Sequence, residues 1–252
     1  MKSNINYLVG NSNFSGEAFE PFSKKVCNFL SDFSNNLNQD KDIKKYPDLK
    51  ALSFWCRKKN IEKLKKEFTN DNDLRIGLGL AFHITPSNIP TNFAYSLFFG
   101  LLSGNSNIVK VPSNDFVQIN KICLAIKKAI KKNLFFKNKI NIVKYKKHEG
   151  VSEFFSSNAD CRLIWGGDKT IKEVKKFKTK ERTVDLMFAD RYSFCIIDLK
   201  KMSNLNEFHF TRLIEKFYND TYLNDQNACS SPHLIWWYGK ATNVIDRFWK
   251  KL

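Results

Sequence analysis

The segment 224–232, NDQNACSSP, places one cysteine among amides, an alanine and two serines. Small neighbours leave room around the Cys229 thiol, and a thiol whose pKa is lowered locally can accept an acyl group as a nucleophile. No second cysteine stands at a zinc-ligand spacing from it, and no metal is implied. Taken alone, the segment fits a catalytic nucleophile and an inert surface cysteine equally well.

A second candidate is Asn88, which lies in the stretch TPSNIP at 85–90. Pro86 and Pro90 restrict the backbone on both sides of it. A side-chain amide held in this way can donate a hydrogen bond to an oxyanion that develops during acyl transfer. The competing interpretation is that Asn88 only caps the helix that follows.

Two further positions suit a phosphate or a ribose. Lys110 ends an apolar strand pattern, and the Gly166-Gly167 pair lets a ligand approach the backbone just before a helix N-terminus. A solvated lysine and an ordinary tight turn explain the same residues. Gly77 and Gly79 lack the third glycine of a dinucleotide fingerprint, so we interpret that pair as structural.

The elements that must position these residues alternate between strands and helices after about residue 75. Strands are predicted over 75–84, 107–112, 139–145, 161–167 and 193–198, and helices over 18–37, 49–68, 91–102, 150–157, 168–178 and 204–222, with one more helix capped by Ser113. Asp168 is expected to cap the helix after the glycine pair. This alternation predicts a mostly parallel sheet with helices on both faces. The turns 85–88, 110–114 and 166–170 would then meet at the carboxyl edge of the sheet, where such folds bind ligands.

The chain has 252 residues and a formal net charge of +17. Such a charge suits nucleic acid, an anionic membrane surface or a polyanionic small ligand, but the lysines are spread along helix faces without a nucleic-acid motif. Six cysteines are scattered, no apolar leader opens the chain, and the run 93–102 is shorter than the roughly 20 residues that span a bilayer. We expect a reduced, cytoplasmic protein with no membrane span and no specific nucleic-acid partner.

In combination these motifs resemble a known family. The run GLAFHITPSNIPTNFAYSLFFGLLSGNSNIVKVPSND is followed by LIWGGDKTI, VDLMFADRYSFCII and NDQNACSSP. Their order resembles the long-chain acyl-CoA reductase family, which includes the fatty-acid reductase subunit of bacterial bioluminescence and is a branch of the aldehyde dehydrogenase superfamily. The resemblance covers most of the chain from about residue 75.

The resemblance implies an α/β fold, with an aldehyde-dehydrogenase-like Rossmann-type parallel sheet and helices on both faces. It implies three parts: a mainly helical segment at 1–75, a nicotinamide-cofactor-binding domain at 76–186, and the start of a catalytic domain at 187–252. Family members continue beyond the cysteine for roughly as many residues again, so the chain is expected to be the N-terminal portion, its catalytic domain incomplete. A second chain that supplies the rest is an expected partner.

Residue roles are also carried over by resemblance. Cys229 matches the acyl-accepting nucleophile, and Asn88 matches the oxyanion-hole amide, assisted by the backbone N–H of Cys229. The positions that match cofactor contacts are Ile84, Thr85, Pro86, Ser87, Lys110, Ser113, Gly166 and Gly167.

Two departures from the wider superfamily bear on the chemistry. Phe188 stands where hydrolytic aldehyde dehydrogenases carry a glutamate base. Without a carboxylate there to activate water, an acyl-cysteine would be protected from hydrolysis. Asn114 stands where an acid would bind the adenosine ribose, and the absence of that acid favours NADPH over NADH. The preference is weak, because Asp115 is adjacent.

The resemblance therefore implies reduction of a fatty acyl thioester, from CoA or a carrier, to a fatty aldehyde with NADPH through an acyl-cysteine. The alternative is a non-catalytic truncated or degenerate fragment that binds a nucleotide or a partner chain. Binding of nucleic acid is a third hypothesis, with charge in its favour and no motif.

Overall fold

A computed structural model describes residues 5–69, 74–146, 150–222 and 225–252, apart from the side chain of Thr242. The chain divides into two compact units, Met1–Ala189 and Asp190–Leu252. Each unit has hydrophobic core clusters of its own. The assignment of a cofactor domain and a catalytic domain to parts of the chain stays a prediction.

The larger unit is built on a six-stranded sheet in the order β1-β4-β3-β2-β5-β6. Its strands are β1 (Asn6–Val9), β2 (Leu80–Ile84), β3 (Ser106–Lys110), β4 (Ile140–Lys144), β5 (Cys161–Gly166) and β6 (Val184–Ala189). Strands β2 to β6 pair in parallel, and β1 pairs antiparallel with β4. The chain builds outward from β2 to β4 and then returns past β2 to β5. This is the strand order of a doubly wound sheet, with its switch point between β2 and β5.

Helices cover both faces of this sheet, as predicted. They are α1 (Lys24–Asn38), α2 (Pro47–Trp55), α3 (Lys58–Phe68), α4 (Asn92–Leu102), α5 (Val117–Lys132), α6 (Val151–Asn158) and α7 (Asp168–Lys175). Val109 belongs to the core formed with α1 to α5, and its neighbour Ile108 belongs to the core formed with α6 and α7. Successive strand residues point to opposite faces, so a run of apolar residues fills both cores at once.

The N-terminal segment differs from its prediction in three ways. The first helix begins at Lys24 rather than at residue 18, and β1 is a strand that the sequence pattern missed. The single helix predicted over 49–68 is wrong, because α2 ends at Trp55 and α3 begins at Lys58. The break has a local cause: Arg57 is extended, and the Asn60 amide donates to the Trp55 carbonyl at 2.7 Å, which ends α2.

The strand predicted over 75–84 is shorter, because the residues before Leu80 are not paired in the sheet. Gly79 has a φ of +128°, which favours glycine, and the Asn105 side-chain oxygen accepts from its backbone N–H at 3.2 Å. A Cβ on Gly77 would lie 2.0 Å from the Gly104 carbonyl oxygen. The glycine pair therefore serves close packing at the amino end of β2, away from the carboxyl edge.

Two predicted helix caps are wrong. The helix after the KVPSN turn begins at Val117 with Phe116 at its N-cap position, so Ser113 does not cap it. The helix after the glycine pair has Gly167 at its N-cap position and Asp168 as its first residue. In both cases the sequence offered a capping side chain, but the path of the backbone out of the strand put the helix start elsewhere.

The edge strand β6 was not predicted, and an ion pair ties it to the sheet. The buried Arg162 guanidinium donates to both carboxylate oxygens of Asp185, at 2.7 and 2.6 Å. A third donor of Arg162 reaches the Val174 carbonyl at 3.0 Å. A two-point contact of this kind fixes the orientation of the guanidinium and the carboxylate as well as the distance between them. Together with the bond to Val174, it links β5, β6 and the end of α7.

The smaller unit holds a parallel pair of strands, β7 (Phe194–Asp198) and β8 (Leu234–Tyr238), with α8 (Leu199–Ser203), α9 (Glu207–Thr221) and α10 (Thr242–Lys251). Alternate residues such as Ile197 and Trp237 pack on the buried Phe210 and Phe248. The opposite face carries exposed Ile196 and Trp236. Within the described ranges, no helix is long and apolar enough to cross a membrane.

Replacing Gly100 by Ala should destabilise the protein. In an ordinary helix interior this change stabilises by about 1 kcal/mol. Here the new Cβ would lie 2.0 Å from the Asn107 side-chain oxygen and 3.1 Å from His83 Cε1. We expect a loss of about 1–3 kcal/mol in the free energy of unfolding, measured with urea. Gly16→Ala is the control, because its Cβ would meet Leu80 at an ordinary 3.8 Å. Equal stability of the two variants would contradict the packing described here.

Candidate functional site

The turns that follow β2, β3 and β5 lie at one edge of the sheet, as the sequence predicted. Ile84 is paired in register with Lys110 on one side and with Ile164 on the other. The Thr85 hydroxyl donates to the Lys110 carbonyl at 2.7 Å. This bond links β2 and β3 just past their last paired residues. Gly166 ends β5 two residues after Ile164. The candidate cofactor positions therefore surround the carboxyl ends of three adjacent strands.

A cavity of about 520 Å³ opens beside this edge, on the face covered by α6 and α7. It is lined by Ile84, Lys110, Gly150, Ser152, Glu153, Thr170, Glu173, Val174, Lys176 and Phe177. Ile84 and Lys110 were singled out from the sequence, and the other residues were not. They come from α6, α7 and their flanks, which only the fold brings to the strand ends. The volume lies in the usual range of small-molecule sites.

The cavity offers groups of the kinds that a nucleotide needs. Lys110 and Lys176 supply positive charge, while Glu153 and Glu173 supply carboxylates of the kind that hydrogen-bond ribose hydroxyls. The Lys110 ammonium lies 4.8 Å from the centroid of the Tyr145 ring, a cation–π distance that steadies its position. The residues present therefore fit a nucleotide, with both a phosphate-binding and a ribose-binding charge at hand.

The Gly166-Gly167 turn is shaped for close approach. Gly166 has a φ of +155°, which side chains rarely adopt, and a Cβ there would lie 3.2 Å from Thr170. A Cβ on Gly167 would meet nothing within 4 Å, so this residue faces open space at the start of α7. The backbone at this turn is therefore accessible to a ligand, and its first helical N–H groups are available for a phosphate.

The remaining candidates on the larger unit lie at its surface, and none is fully buried. Ser87, Asn88 and Ser113 are exposed, and Pro86 is half-buried. The interpretation of Asn88 as a helix cap is not supported, because Thr91 holds the N-cap position of α4. Asp115 is engaged elsewhere, since its carboxylate pairs with the Lys144 ammonium at 2.5 Å.

A buried histidine lies directly below the edge, and sequence analysis missed it. His83 is wholly buried in β2, with Nδ1 2.8 Å from the Ser96 hydroxyl and Nε2 2.8 Å from the Asn107 side-chain oxygen. Burial lowers the pKa of His83 to about 4, because the charged imidazolium would lose its hydration. The signal in the sequence was the single ionisable residue within the apolar run LAFHI.

Next to the glycine turn, Trp165 and Phe188 form an aromatic pair. Their rings stack with centroids 4.0 Å apart and planes inclined by 13°. The two residues are register partners on β5 and β6, and Phe188 is 40% exposed. An aromatic ring, not a carboxylate, thus stands at this position of the edge strand.

In the smaller unit, Cys229 lies on a turn that leads into β8. Its carbonyl accepts from the Ser193 hydroxyl at 2.6 Å, and the Ser231 N–H donates to the Ala228 carbonyl at 2.9 Å. The Ser231 hydroxyl also donates to the Asp220 carbonyl, at 2.9 Å. These bonds hold the backbone on both sides of an exposed thiol. Asn224, at the start of the motif, lies outside the described residues.

The other cysteines are less accessible than Cys229. Burial raises the pKa of Cys161 to about 11 and of Cys123 to about 12, and holds the pKa of Cys56 well above its ordinary value. Cys27 and Cys195 are half-buried, and desolvation raises their pKa as well. Cys229 is exposed. Across the described residues, no group of three or more His, Cys, Asp or Glu side chains could hold a metal ion.

Comparison with known proteins places these features in context. The profile of the acyl-CoA reductase (LuxC) family matches residues 14–252. No curated protein sequence matches the chain.

Solved structures with a similar fold include an oxidoreductase from Marinobacter aquaeolei, with a TM-score of 0.65 and 13% identity over 97% of this chain and 53% of that one. Lactaldehyde dehydrogenase from Escherichia coli has a TM-score of 0.62 and 13% identity, and the match covers 90% of this chain and 50% of that one. An indole-3-acetaldehyde dehydrogenase in complex with NAD⁺ has a TM-score of 0.60 and 17% identity, and the match covers 90% of this chain and 48% of that one. The chain thus spans about half the length of these structures, and at such identities the likeness shows an aldehyde-dehydrogenase-like fold.

Limited treatment with iodoacetamide should modify Cys229 first, at a rate at least about tenfold above that of any other cysteine. The reason is exposure, combined with the raised pKa of the five other thiols. Peptide mapping by mass spectrometry measures the order. Earlier modification of Cys27 or Cys56, with Cys229 untouched, would remove the case for a reactive thiol in this turn.

Stability should fall as the pH is lowered from about 6.5 to about 4, because of His83. Over that interval the unfolded state binds a proton on this imidazole and the folded state does not. The loss attributable to this group is about 3 kcal/mol in total, with no further loss from it at lower pH. Urea unfolding across the interval should give a flatter profile for His83→Gln than for the wild type. His209→Gln, at an exposed site, is the control and should keep the wild-type slope.

Proposed function

The chain belongs to the acyl-CoA reductase (LuxC) family, and on that premise we propose that it carries the nucleophile and the cofactor site for reducing a fatty acyl thioester to a fatty aldehyde. The cofactor is NADPH, with NADH as the second candidate. The acyl donor is a CoA or carrier-protein thioester. A second chain that contributes further parts of the catalytic domain is a proposed partner.

The observation that carries the proposal is the exposed Cys229 thiol on a turn with hydrogen bonds on both sides. An anchored backbone lets the thiol meet a substrate without ordering the loop first, which lowers the entropic cost of acyl transfer. Small neighbours in NDQNACSSP leave space for an acyl carbonyl. The other thiols are withdrawn into the core clusters or half-covered, so no equally suitable nucleophile competes among them.

In the proposed reaction, the Cys229 thiolate attacks the thioester carbonyl carbon. The tetrahedral oxyanion accepts hydrogen bonds from the Asn88 amide and from the backbone N–H of Cys229. Collapse of this intermediate breaks the bond to the CoA or carrier sulfur, which leaves as a thiolate, and the acyl group stays on Cys229. A reduced nicotinamide, if held at the strand ends by residues such as Lys110 and the Gly166-Gly167 turn, would supply the hydride that the acyl carbon on Cys229 needs. The same two donors then stabilise the thiohemiacetal oxyanion, whose collapse releases the aldehyde and regenerates the thiolate.

We assign cofactor contacts to Ile84, Thr85, Pro86, Ser87, Lys110, Ser113, Gly166 and Gly167. The cavity beside them supports a nucleotide there, because Lys110 and Lys176 suit phosphate and Glu153 and Glu173 suit ribose hydroxyls. Two carboxylates in the cavity weaken the case for NADPH over NADH that the sequence suggested. Comparison of the two nucleotides in binding experiments decides between them.

Phe188 supports reduction over hydrolysis. A general base at this place would activate water against the acyl-cysteine, and a phenyl ring cannot accept a proton. The stacking of Phe188 on Trp165 keeps an apolar surface at the carboxyl end of β6. An acyl group on Cys229 would then persist until hydride or a returning thiol removes it.

A second candidate function is nucleotide binding without catalysis. The cavity lies wholly within the larger unit and does not involve Cys229. The chain would then bind NADPH or NADH but would not become acylated. The two candidates therefore give opposite results in one experiment.

Incubation with palmitoyl-CoA should add one palmitoyl group to Cys229, detected by mass spectrometry, and Cys229→Ser should remain unmodified at that position. Asn88→Ala should slow this acylation by on the order of a hundredfold, since one oxyanion donor is lost. Its free energy of unfolding should change by no more than about 1 kcal/mol, because Asn88 is exposed and Thr91 holds the N-cap position of α4.

Asn206→Ala is the matched control, because the Asn206 side chain does cap a helix and accepts from the His209 N–H at 2.9 Å. It should lose about 1 kcal/mol of stability and keep the rate of acylation. Nucleotide binding without any acylation would favour the second candidate, and an unchanged rate in Asn88→Ala would remove this residue from the oxyanion site.

A further inference from the structure

A chain of hydrogen bonds crosses the core of the larger unit just below the carboxyl edge. The Trp165 indole N–H reaches the Ser96 hydroxyl at 3.2 Å, and Ser96 reaches His83 Nδ1 at 2.8 Å. His83 Nε2 lies 2.8 Å from the Asn107 side-chain oxygen, and the Asn107 amide reaches the Asn105 carbonyl at 2.6 Å. We call the four side chains of Trp165, Ser96, His83 and Asn107 the relay.

The relay has one consistent direction. An indole N–H can only donate, so the Ser96 oxygen accepts from Trp165. The Asn107 amide nitrogen is committed to a carbonyl, so its oxygen faces His83 and must accept from Nε2–H. A neutral imidazole with its proton on Nε2 has a lone pair on Nδ1, and the Ser96 hydroxyl donates to it. Burial keeps the imidazole neutral, which this pattern requires.

The relay joins the elements that carry the candidate cofactor positions. His83 directly precedes Ile84 in β2, and Trp165 directly precedes Gly166 in β5, while Ser96 belongs to α4 and Asn107 to β3. The close approach of α4 depends on Gly100, where any Cβ would overlap the Asn107 oxygen. The relay therefore fixes the carboxyl ends of β2 and β5 and the helix α4 to one another close to the edge.

The relay also determines how Trp165 is oriented. One edge of the indole is held by Ser96, and one face is held by the Phe188 ring at 4.0 Å. Rotation of the side chain about either of its torsions would break both contacts. Since Trp165 and Gly166 share a peptide bond, an indole held in this way restricts the backbone that begins the glycine turn.

Buried polar networks are costly unless every member is satisfied, and an apolar core would be simpler to build. Each relay atom described above has a partner at hydrogen-bond distance, so the network is complete, and it ends at the candidate site rather than at an arbitrary surface. We propose that the relay is a positioning device: through Trp165 it holds the Gly166-Gly167 turn in the conformation that binds the nucleotide. The inference rests on the proposed cofactor site and adds positioning residues that do not touch the nucleotide.

The test measures the affinity of the 252-residue protein for NADPH and for NADH by titration calorimetry. Ser96→Ala removes the centre of the relay, and Trp165→Phe removes the N–H while keeping an aromatic ring against Phe188. Each should lower the affinity for the nucleotide that the wild type prefers by about fivefold or more. The controls are Ser34→Ala, which breaks the buried Ser34–Ser53 hydrogen bond between α1 and α2, and Trp55→Phe, an aromatic contact on α2. Both should leave affinity within about twofold.

A spectroscopic signature separates positioning from general loss of stability. In protein labelled with ¹⁵N at the indoles, the Trp165 N–H resonance is identified by its absence from Trp165→Phe. It should shift in Ser96→Ala without nucleotide, and it should shift in the wild type when nucleotide binds. The Trp55 resonance should not move in either case.

The outcomes are distinct. Weaker binding in both relay variants, unchanged binding in both controls and the two shifts support the inference. Binding as tight in Ser96→Ala as in Ser34→Ala overturns it and leaves the proposed function standing. A wild type that binds neither nucleotide overturns the cofactor site and the positioning role together.

Discussion

Strand β2 pairs with β3 on one side and with β5 on the other, and this arrangement is the constraint from which the candidate site follows. Because all three strands run in parallel, their carboxyl ends must meet at one edge. Residues 80 positions apart along the chain become neighbours there, as Ile84 and Ile164 do. Every proposed cofactor contact lies within a few residues of one of these strand ends.

The sheet can hold its edge in place because both of its faces are covered and the polar side chains at its centre, His83 and Asn107, are paired. Apolar residues of β3 alternate between the two cores, and the polar residues of the centre, His83 and Asn107, satisfy each other. Arg162 does the same for the outer strand by binding Asp185 and the end of α7. Buried polar groups have few alternative partners, so they define one arrangement of the strands more sharply than apolar packing does.

The smaller unit holds the proposed nucleophile, Cys229, through a different kind of constraint. Its two strands bury one face against helices, and the turn before β8 is fixed by hydrogen bonds to backbone carbonyls rather than by packing. Packing around the thiol would hide it, as burial hides Cys56 and Cys123. Anchoring through the backbone leaves the Cys229 side chain exposed and its carbonyl fixed, which suits the proposed acyl transfer.

The sequence was enough to predict the alternation of strands and helices, the parallel sheet, the family resemblance and the grouping of Ile84, Lys110 and the glycine pair at one edge. These follow from local periodicity and from residues next to strand ends, and both are visible in a single stretch of chain. Other features became visible only in the fold. The strand β6 depends on a partner 23 residues away, Asp185 for Arg162. The break between α2 and α3 and the start of α5 are set by the path of the backbone, which apolar periodicity does not reveal. The cavity residues on α6 and α7 and the relay through His83, Ser96 and Trp165 depend on distant contacts too, because hydrogen bonds and cavity walls are set by distance in space, which no local pattern encodes.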